Sequence, residues 1–557
     1  MVPPCCQLTV FILAAFAGGS CALPLPAPSD LRIEHLGGVG AAPVGLEAAG
    51  GPLRLWWALP SAPRALVQRA YELQLAQEGG WQASSQTIET SQSEAVPLPA
   101  GMDKLQADSA YAVRVRWWAT SGPVGPNLEP SQWSQWLNFT TGLPTPEDWG
   151  GAAWLAAANS SRGDAASQLR TTFELDAVGS LEKVHLYVGS RGYYKCWING
   201  HSASDHEQGH TTTFEVRTLY DTFVVSPELL QAGTNALGCT IAQGWYGDSS
   251  GGAMSDFVHT KSLILKLSLR YRNGTRASVL SSMADKGGRR WMAATGPWVR
   301  AKIFKGVSYD ARQETPGWTT AEYSTAGSAV PWATAREDAT AAPQMVLRSA
   351  MTPLIRHTQS FPAVNFTRVP QPDSGATQAE KALVAAAPSY SYLYDFGQNA
   401  AAQISIHVPP GALLLDGMTP TQTDAVVTFS LKFAETDQKG EGESGGSPIT
   451  YVSTLGKIAA GGIDWQAHFT YYGFQFCTLT VSSNDSTVVL PAPTIDTLVS
   501  HFTHSDVDHG LSGIEFSRPL LNTIQRMTLY ASKSNLLDVP TDCPTVSMIT
   551  IRSFSRS

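Results

Sequence analysis

The strongest constraint in this chain is a period of two. Leu263, Leu265, Leu267, Leu269 and Tyr271 alternate with other residues, and so do Tyr111, Val113, Val115 and Trp117, with Arg114 and Arg116 between them. Tyr71, Leu73 and Leu75, and Val427, Phe429, Leu431 and Phe433, repeat the pattern. Successive side chains of a strand point to opposite faces, so this spacing predicts half-buried strands of antiparallel sheets. A helical period is rare. Leu520, Ile524, Met527 and Ala531 form the best such stripe, with Pro519 at a first helical position and Ser517 as a cap.

Composition agrees with many short strands and turns. The chain has 557 residues, 49 Gly, 35 Pro and only 15% charged residues. No run of like charges supplies a basic face, and the net charge is −8, which argues against nucleic acid as a partner. A length of this kind suits three or four domains. Three β-rich blocks are expected, at 31–142, 149–318 and 343–508, followed by a helical tail at 511–557. The Pro-rich stretch Gly142 to Pro146 reads as a linker.

The first 22 residues read as a secretory signal peptide. An apolar run from Leu8 to Ala17 leads to small residues at Ser20 and Ala22. The run is too short to span a bilayer, which takes about 20 residues, and no other segment has the length and apolarity of a membrane span. Sequons at Asn138, Asn159, Asn273, Asn365 and Asn484 fit a secreted, extracellular glycoprotein. Cys196, Cys239, Cys477 and Cys543 remain beyond the signal. A bridge between Cys196 and Cys239, and four small buried thiols, are both compatible with their spacing.

Several catalytic motifs occur out of context. His206-Glu-Gln-Gly-His210 matches H-E-x-x-H, but Gly209 and the β-branched run that follows oppose the helix that a zinc site needs. Gly247-Asp-Ser-Ser-Gly251 matches G-x-S-x-G, yet Gly252 follows where a nucleophile elbow needs a helix. Asp395-Phe-Gly397 has none of the other kinase motifs around it. Glu314 and Glu435 are candidates by type alone for a glycosidase carboxylate pair.

A wider pattern resembles α-L-rhamnosidases of glycoside hydrolase family 78. It runs through Asp30-Leu-Arg-Ile-Glu-His35, Ser131-Gln-Trp-Ser-Gln-Trp136, Asp148-Trp-Gly150, Ile198-Asn-Gly200 and Gly244-Trp-Tyr-Gly247. It continues through Tyr309-Asp-Ala-Arg312, Asp395-Phe-Gly-Gln-Asn399, Phe469-Thr-Tyr-Tyr-Gly-Phe474 and Val539-Pro-Thr-Asp-Cys-Pro544. The resemblance implies a mainly β protein: tandem β-sandwich and jelly-roll domains followed by a short helical stub of an (α/α)6 barrel. The first block would be fibronectin-type-III-like, the second a lectin-like jelly roll, and the third a concanavalin-like β-sandwich.

The implied activity is inverting hydrolysis of terminal α-L-rhamnose from glycosides or polysaccharides, by a general acid and a general base standing ~6.5–9.5 Å apart. Asp542 matches a residue that contacts rhamnose. The general-acid position falls on Ser547, which has no carboxyl group, so no catalytic residue is expected in this chain. It reads as truncated at the start of the barrel and inactive alone. The alternative is a non-catalytic rhamnose-binding protein. For sugar contact the resemblance points to Trp245 and Tyr246. It also points to Asn199, with Ca2+ in the jelly roll; no other cofactor is expected.

Overall fold

In the computed structural model, residues 25–541 are described except 38–41, 49–50, 61–66, 79, 81, 121–128, 158–162, 215, 248–259, 284–289, 304, 339–345, 370–388, 412–422, 438–447, 491 and 508–513. Strands dominate, as the period of two predicts. The chain divides into two compact units.

The smaller unit comprises residues 1–43 and 50–141 and holds a four-stranded and a five-stranded sheet. Its longest strands, Val67–Gln77 and Ala110–Thr120, pair antiparallel. Tyr111, Val113, Val115 and Trp117 are all buried. On the opposite face, the Arg114 guanidinium lies 4.9 Å from the Trp133 ring and 4.4 Å from Trp136, and Arg116 lies 4.7 Å from Trp133. Trp133 and Trp136 of the Ser-Gln-Trp repeat therefore stack on cations.

The larger unit contains a six-stranded, a seven-stranded and a ten-stranded sheet. The six-stranded sheet is ordered His201–Ser202, Tyr193–Ile198, Gly233–Ala242, Ser167–Leu175, Met292–Thr295, Ala333–Thr334. The seven-stranded sheet is centred on Ser262–Tyr271 and Leu181–Arg191. The Cys196–Cys239 disulfide joins neighbouring strands of the six-stranded sheet, and Cys477 is a buried free thiol.

The boundary expected between 318 and 343 does not separate the sheets. Trp298–Lys302 and Gly306–Asp310 join the ten-stranded sheet, whereas Ala333–Thr334 returns to the six-stranded sheet and Arg336–Glu337 and Val346–Ser349 to the seven-stranded sheet. This exchange gives two parallel pairings in sheets expected to be antiparallel: Arg217–Val224 with Val346–Ser349, and Gly306–Asp310 with Ile449–Thr454. Parallel neighbours need long crossovers, and the exchanged strands supply them. From Ile355 to Ser505 the strands of the third block belong to one hydrogen-bonded network. Its strand Ser389–Val408 slips register between Asp395 and Ala400, then passes from the partner Tyr472–Ser483 to Leu498–Ser505. An irregularity of this kind bends a strand and re-aims it.

The stretch expected to be a linker, Gly142 to Pro146, begins where the two units divide, and Pro144, Thr145 and Pro146 are exposed. Leu143 within it is buried beside Tyr187 and Tyr220, and Leu143 N donates to Tyr220 Oη. Near the end, the helix Pro519–Ser534 begins with Pro519 at its first turn, but its N-cap is Arg518 rather than Ser517. Tyr530 packs on Phe502, and the stripe Leu520, Ile524 and Met527 faces outward. Asp542 and Ser547 lie outside the described residues.

Candidate binding cleft

Aromatic residues from both parts of the larger unit converge on a cleft of about 430 Å³. The six-stranded sheet contributes Gln168 and Trp197. The ten-stranded sheet contributes Trp298, Tyr309 and Trp465, and the connecting loop adds Trp318. The Trp197 and Trp318 rings meet edge to face at 5.8 Å, and both are half-buried. Deeper in, Trp298 meets Tyr309 at 4.8 Å and Trp465 at 5.8 Å.

Two glycines make this packing feasible. A Cβ at Gly238 would sit 2.7 Å from Trp318 Cζ3. A Cβ at Gly296 would sit 2.6 Å from Gln168 Cδ. Both positions need the absence of a side chain because another side chain lies on the backbone there.

The polar groups of the cleft are of two kinds. Glu314 is engaged: Tyr309 Oη donates to it at 2.7 Å and Lys457 Nζ at 2.6 Å. Burial, reinforced by the Glu314 charge, pushes the Tyr309 phenol far up. Three other lining residues carry buried atoms without partners: Gln168 Oε1, Thr315 Oγ1 and Trp465 Nε1. Buried polar atoms are paired in the large majority of cases, so three orphans lining one cleft are unusual.

Beside the cleft runs a polar ladder that includes Glu207 of the H-E-x-x-H stretch. Glu207 receives Lys195 Nζ at 2.9 Å, Gln466 Nε2 at 3.1 Å and His468 Nδ1 at 3.1 Å. Burial acts to raise its carboxyl pKa, but the His468 hydrogen bond and the Lys195 charge outweigh that and hold it well below the usual range. His357 Nε2 reaches Gln403 Oε1 at 2.9 Å, and the His357 ring stacks on His501 at 4.8 Å. Burial and the neighbouring His357 lower His501 to about 4.

The two histidines of the motif go separate ways. His206 is buried among Tyr194 and Phe223, and burial lowers its pKa to about 4. His210 lies 2.6 Å from both Asp221 and Asp538. Burial acts to lower its pKa, but the two carboxylates outweigh it and hold the imidazole well above its ordinary value. The segment is not helical, and no three His, Cys, Asp or Glu side chains among the described residues form a metal-binding group. Ser249 of the G-x-S-x-G match lies outside the described residues.

The residues expected to contact sugar are placed differently. Trp245 and Tyr246 are 3% and 5% exposed. Trp245 belongs to the main core with Tyr193, and Tyr246 meets Phe214 edge to face at 4.8 Å. Their faces are covered by protein, which corrects the expectation of an open aromatic platform. Asn199 occupies a turn at φ 48°. Its carboxamide accepts from Ala236 N and donates to Leu229 O and Asn235 Oδ1. These bonds give it a structural task, and among the described residues no three His, Cys, Asp or Glu side chains group around it. Glu314 does line the cleft; Glu435 is not among its lining residues.

Residues 179–359 match the α-L-rhamnosidase N-terminal domain, and residues 28–145 match the Rha78A-like N-terminal immunoglobulin domain. This chain carries an α-L-rhamnosidase N-terminal region. An α-L-rhamnosidase from Formosa agariphila is 24% identical over 83% of the chain and 46% of that protein. One from Alteromonas sp. is 27% identical over 77% of the chain and 42% of its own length. The chain thus spans about half the length of these relatives. Among solved structures, the native rhamnosidase from Aspergillus terreus shares the fold with a TM-score of 0.71 and 24% identity, covering 93% of this chain and 53% of that one. The Streptomyces avermitilis enzyme complexed with L-rhamnose has a TM-score of 0.67 at 18% identity, covering 93% and 61%.

Proposed function

We propose that this chain is the β-rich, non-catalytic part of an α-L-rhamnosidase that releases terminal, non-reducing α-L-rhamnose from glycosides or polysaccharides with inversion. The carrying observation is the rhamnosidase match of both described units, at 28–145 and 179–359. Inversion needs one carboxylic acid to protonate the leaving oxygen and one carboxylate to activate water. The resemblance puts the acid at Ser547, whose hydroxyl cannot fill that role. The helix Pro519–Ser534 is then the first element of the catalytic barrel, and Asp542 its rhamnose contact. Inverting hydrolysis of this kind requires no metal or organic cofactor.

The test is direct. The polypeptide is expected to release negligible nitrophenol from p-nitrophenyl α-L-rhamnoside, and a chain joined after Pro544 to a relative's downstream region, so that a carboxylic acid replaces Ser547, is expected to release it. Turnover by this chain alone would overturn the non-catalytic reading. Secretion belongs to the same reading. It is supported by the exposure of Asn138, Asn273, Asn365 and Asn484 at four sequons, and a glycosidase-sensitive mass shift in the medium would test it.

A further inference from the structure

We infer that the Trp197–Trp318 cleft is a metal-independent binding site for a neutral pyranose. Trp245, Tyr246 and Asn199, which the family resemblance marks for sugar or calcium, do not line it. The inference does not depend on rhamnosidase activity.

Size comes first. At about 430 Å³ the cleft falls within the ~300–1,000 Å³ of small-molecule sites. A single pyranose ring, or a ring with part of its neighbour, suits that volume. The walls suit the same ligand. Half-buried Trp197 and Trp318 present aromatic surface at the cleft, and a pyranose has a face of C–H groups that packs on such surface.

The orphan atoms narrow the chemistry. Gln168, Thr315 and Trp465 are 3%, 6% and 7% exposed, and each keeps an unpartnered polar atom. Leaving such an atom unpaired costs roughly 1–3 kcal/mol. Gln168 Oε1 is an acceptor, Trp465 Nε1 a donor, and Thr315 Oγ1 either. The three atoms are sealed from solvent in the free protein, so a ligand that answers them must shift their side chains and must both donate and accept, as the hydroxyls of a polyol do.

Charge excludes the main competitors. No Lys or Arg lines the cleft, and its ionisable side chains are Tyr309, Glu314, Asp464 and His468. Lys457, the nearest cation to Glu314, is already paired with it. A phosphate or uronate would meet two carboxylates and no free cation, so a neutral polyol is favoured over an anion. Glu314, Asp464 and His468 do not group into a metal site, so the hydroxyls are recognised by protein atoms directly.

The experiment is calorimetric titration of this chain, in EDTA, with methyl α-L-rhamnoside, methyl glucosides and galactosides, and glucuronate. At least one neutral pyranoside is expected to bind, and glucuronate about tenfold more weakly or worse, a difference of ~1.4 kcal/mol. Trp318→Ala and Gln168→Ala are each expected to lose at least about tenfold in affinity, whereas Trp133→Ala is expected to bind normally.

Thr315→Val provides a second readout. A residue kept for packing alone would lose thermal stability on substitution. A residue kept for ligand should gain it in the free protein, because the orphan hydroxyl is gone, while losing the sugar-induced rise in Tm. Absence of binding by every neutral sugar, binding that requires calcium, or binding untouched by Trp318→Ala and Gln168→Ala would each overturn the inference. Binding of a glucoside with rhamnoside excluded would keep the cleft as a sugar site and count against rhamnose as its ligand. The catalytic reading is decided separately, by the extended chain.

Discussion

Gly296 lies directly against Gln168: a Cβ at position 296 would come within 2.6 Å of the Gln168 Cδ and 2.9 Å of its Oε1. The two residues sit on either side of a strand pairing, Gln168 opposite Ala294. The glycine therefore fixes where the amide of the cleft stands. Gly296→Ala is expected to displace the amide and destabilise the protein by about 1–3 kcal/mol, the usual cost of overpacking. Gly179→Ala, with nothing within 4 Å of its Cβ, is the control. Urea unfolding of both variants checks the difference. Equal midpoints would show that the Gln168 side chain moves freely.

Arg191 and Asp338 are buried together, with Arg191 Nη1 3.4 Å from Asp338 Oδ2 and Ser262 Oγ donating to the same oxygen at 2.7 Å. Asp338→Ala removes the counter-charge and leaves a buried guanidinium 4.5 Å from the Trp154 ring. Breaking a buried pair from one side costs about 3–5 kcal/mol, whereas replacing both partners with apolar residues is often neutral. The expected order of urea midpoints is wild type, then Arg191→Met with Asp338→Leu, then Asp338→Ala lowest by a wide margin.

How much of this was legible beforehand follows the range of each interaction. The strand Ala110–Thr120 was readable because alternation is local, and its inward residues are all buried. In Ser262–Tyr271, Ile264 and Ser268 are buried as well as the leucines. Its half-buried reading therefore fails for much of its length, because other elements cover its second face. The 318–343 boundary failed because the exchanged strands pair with partners far along the chain, as Ser308 does with Thr450. The cleft was invisible for the same reason. Gln168, Trp197, Trp318 and Trp465 are scattered over nearly 300 positions, and only folding brings them together. The one local hint is a Gln next to Ser167 at the head of an otherwise sheet-forming run. Trp245 and Tyr246 were misread because an aromatic pair in a Gly-rich segment looks the same whether it fills a core or lines a site.

His210 is expected to shape the pH dependence of stability. Its folded-state pKa is raised well above the ordinary value by Asp221 and Asp538. Its stabilising contribution is therefore complete below about pH 6.5, the pKa of the unfolded chain, and is lost as pH rises through the higher folded-state pKa. His210→Gln should lower stability at and below neutral pH and flatten the decline on the alkaline side. Unfolding free energies measured from neutral to alkaline pH would reveal this. A wild-type curve that does not fall more steeply than the variant's would show that His210 is not charged in the folded protein.

The helix Pro519–Ser534 carries its apolar stripe outward, with Leu520 68%, Ile524 49% and Met527 65% exposed. Its inner contacts lie elsewhere: Tyr530 stacks on Phe502 at 5.4 Å and donates to Gln359 at 2.8 Å, and Ser534 Oγ accepts from Ala401 N. Substitutions on the stripe should therefore leave stability within about 0.5 kcal/mol, as exposed positions usually do. The same changes should reduce self-association, because exposed apolar patches promote it. Met527→Lys combined with Ile524→Glu is expected to lower light scattering at high concentration without moving the urea midpoint. Tyr530→Ala is expected to do the reverse, destabilising the helix against the sheet. A lowered midpoint in the double variant would mean that the stripe is packed against the protein in solution rather than facing outward.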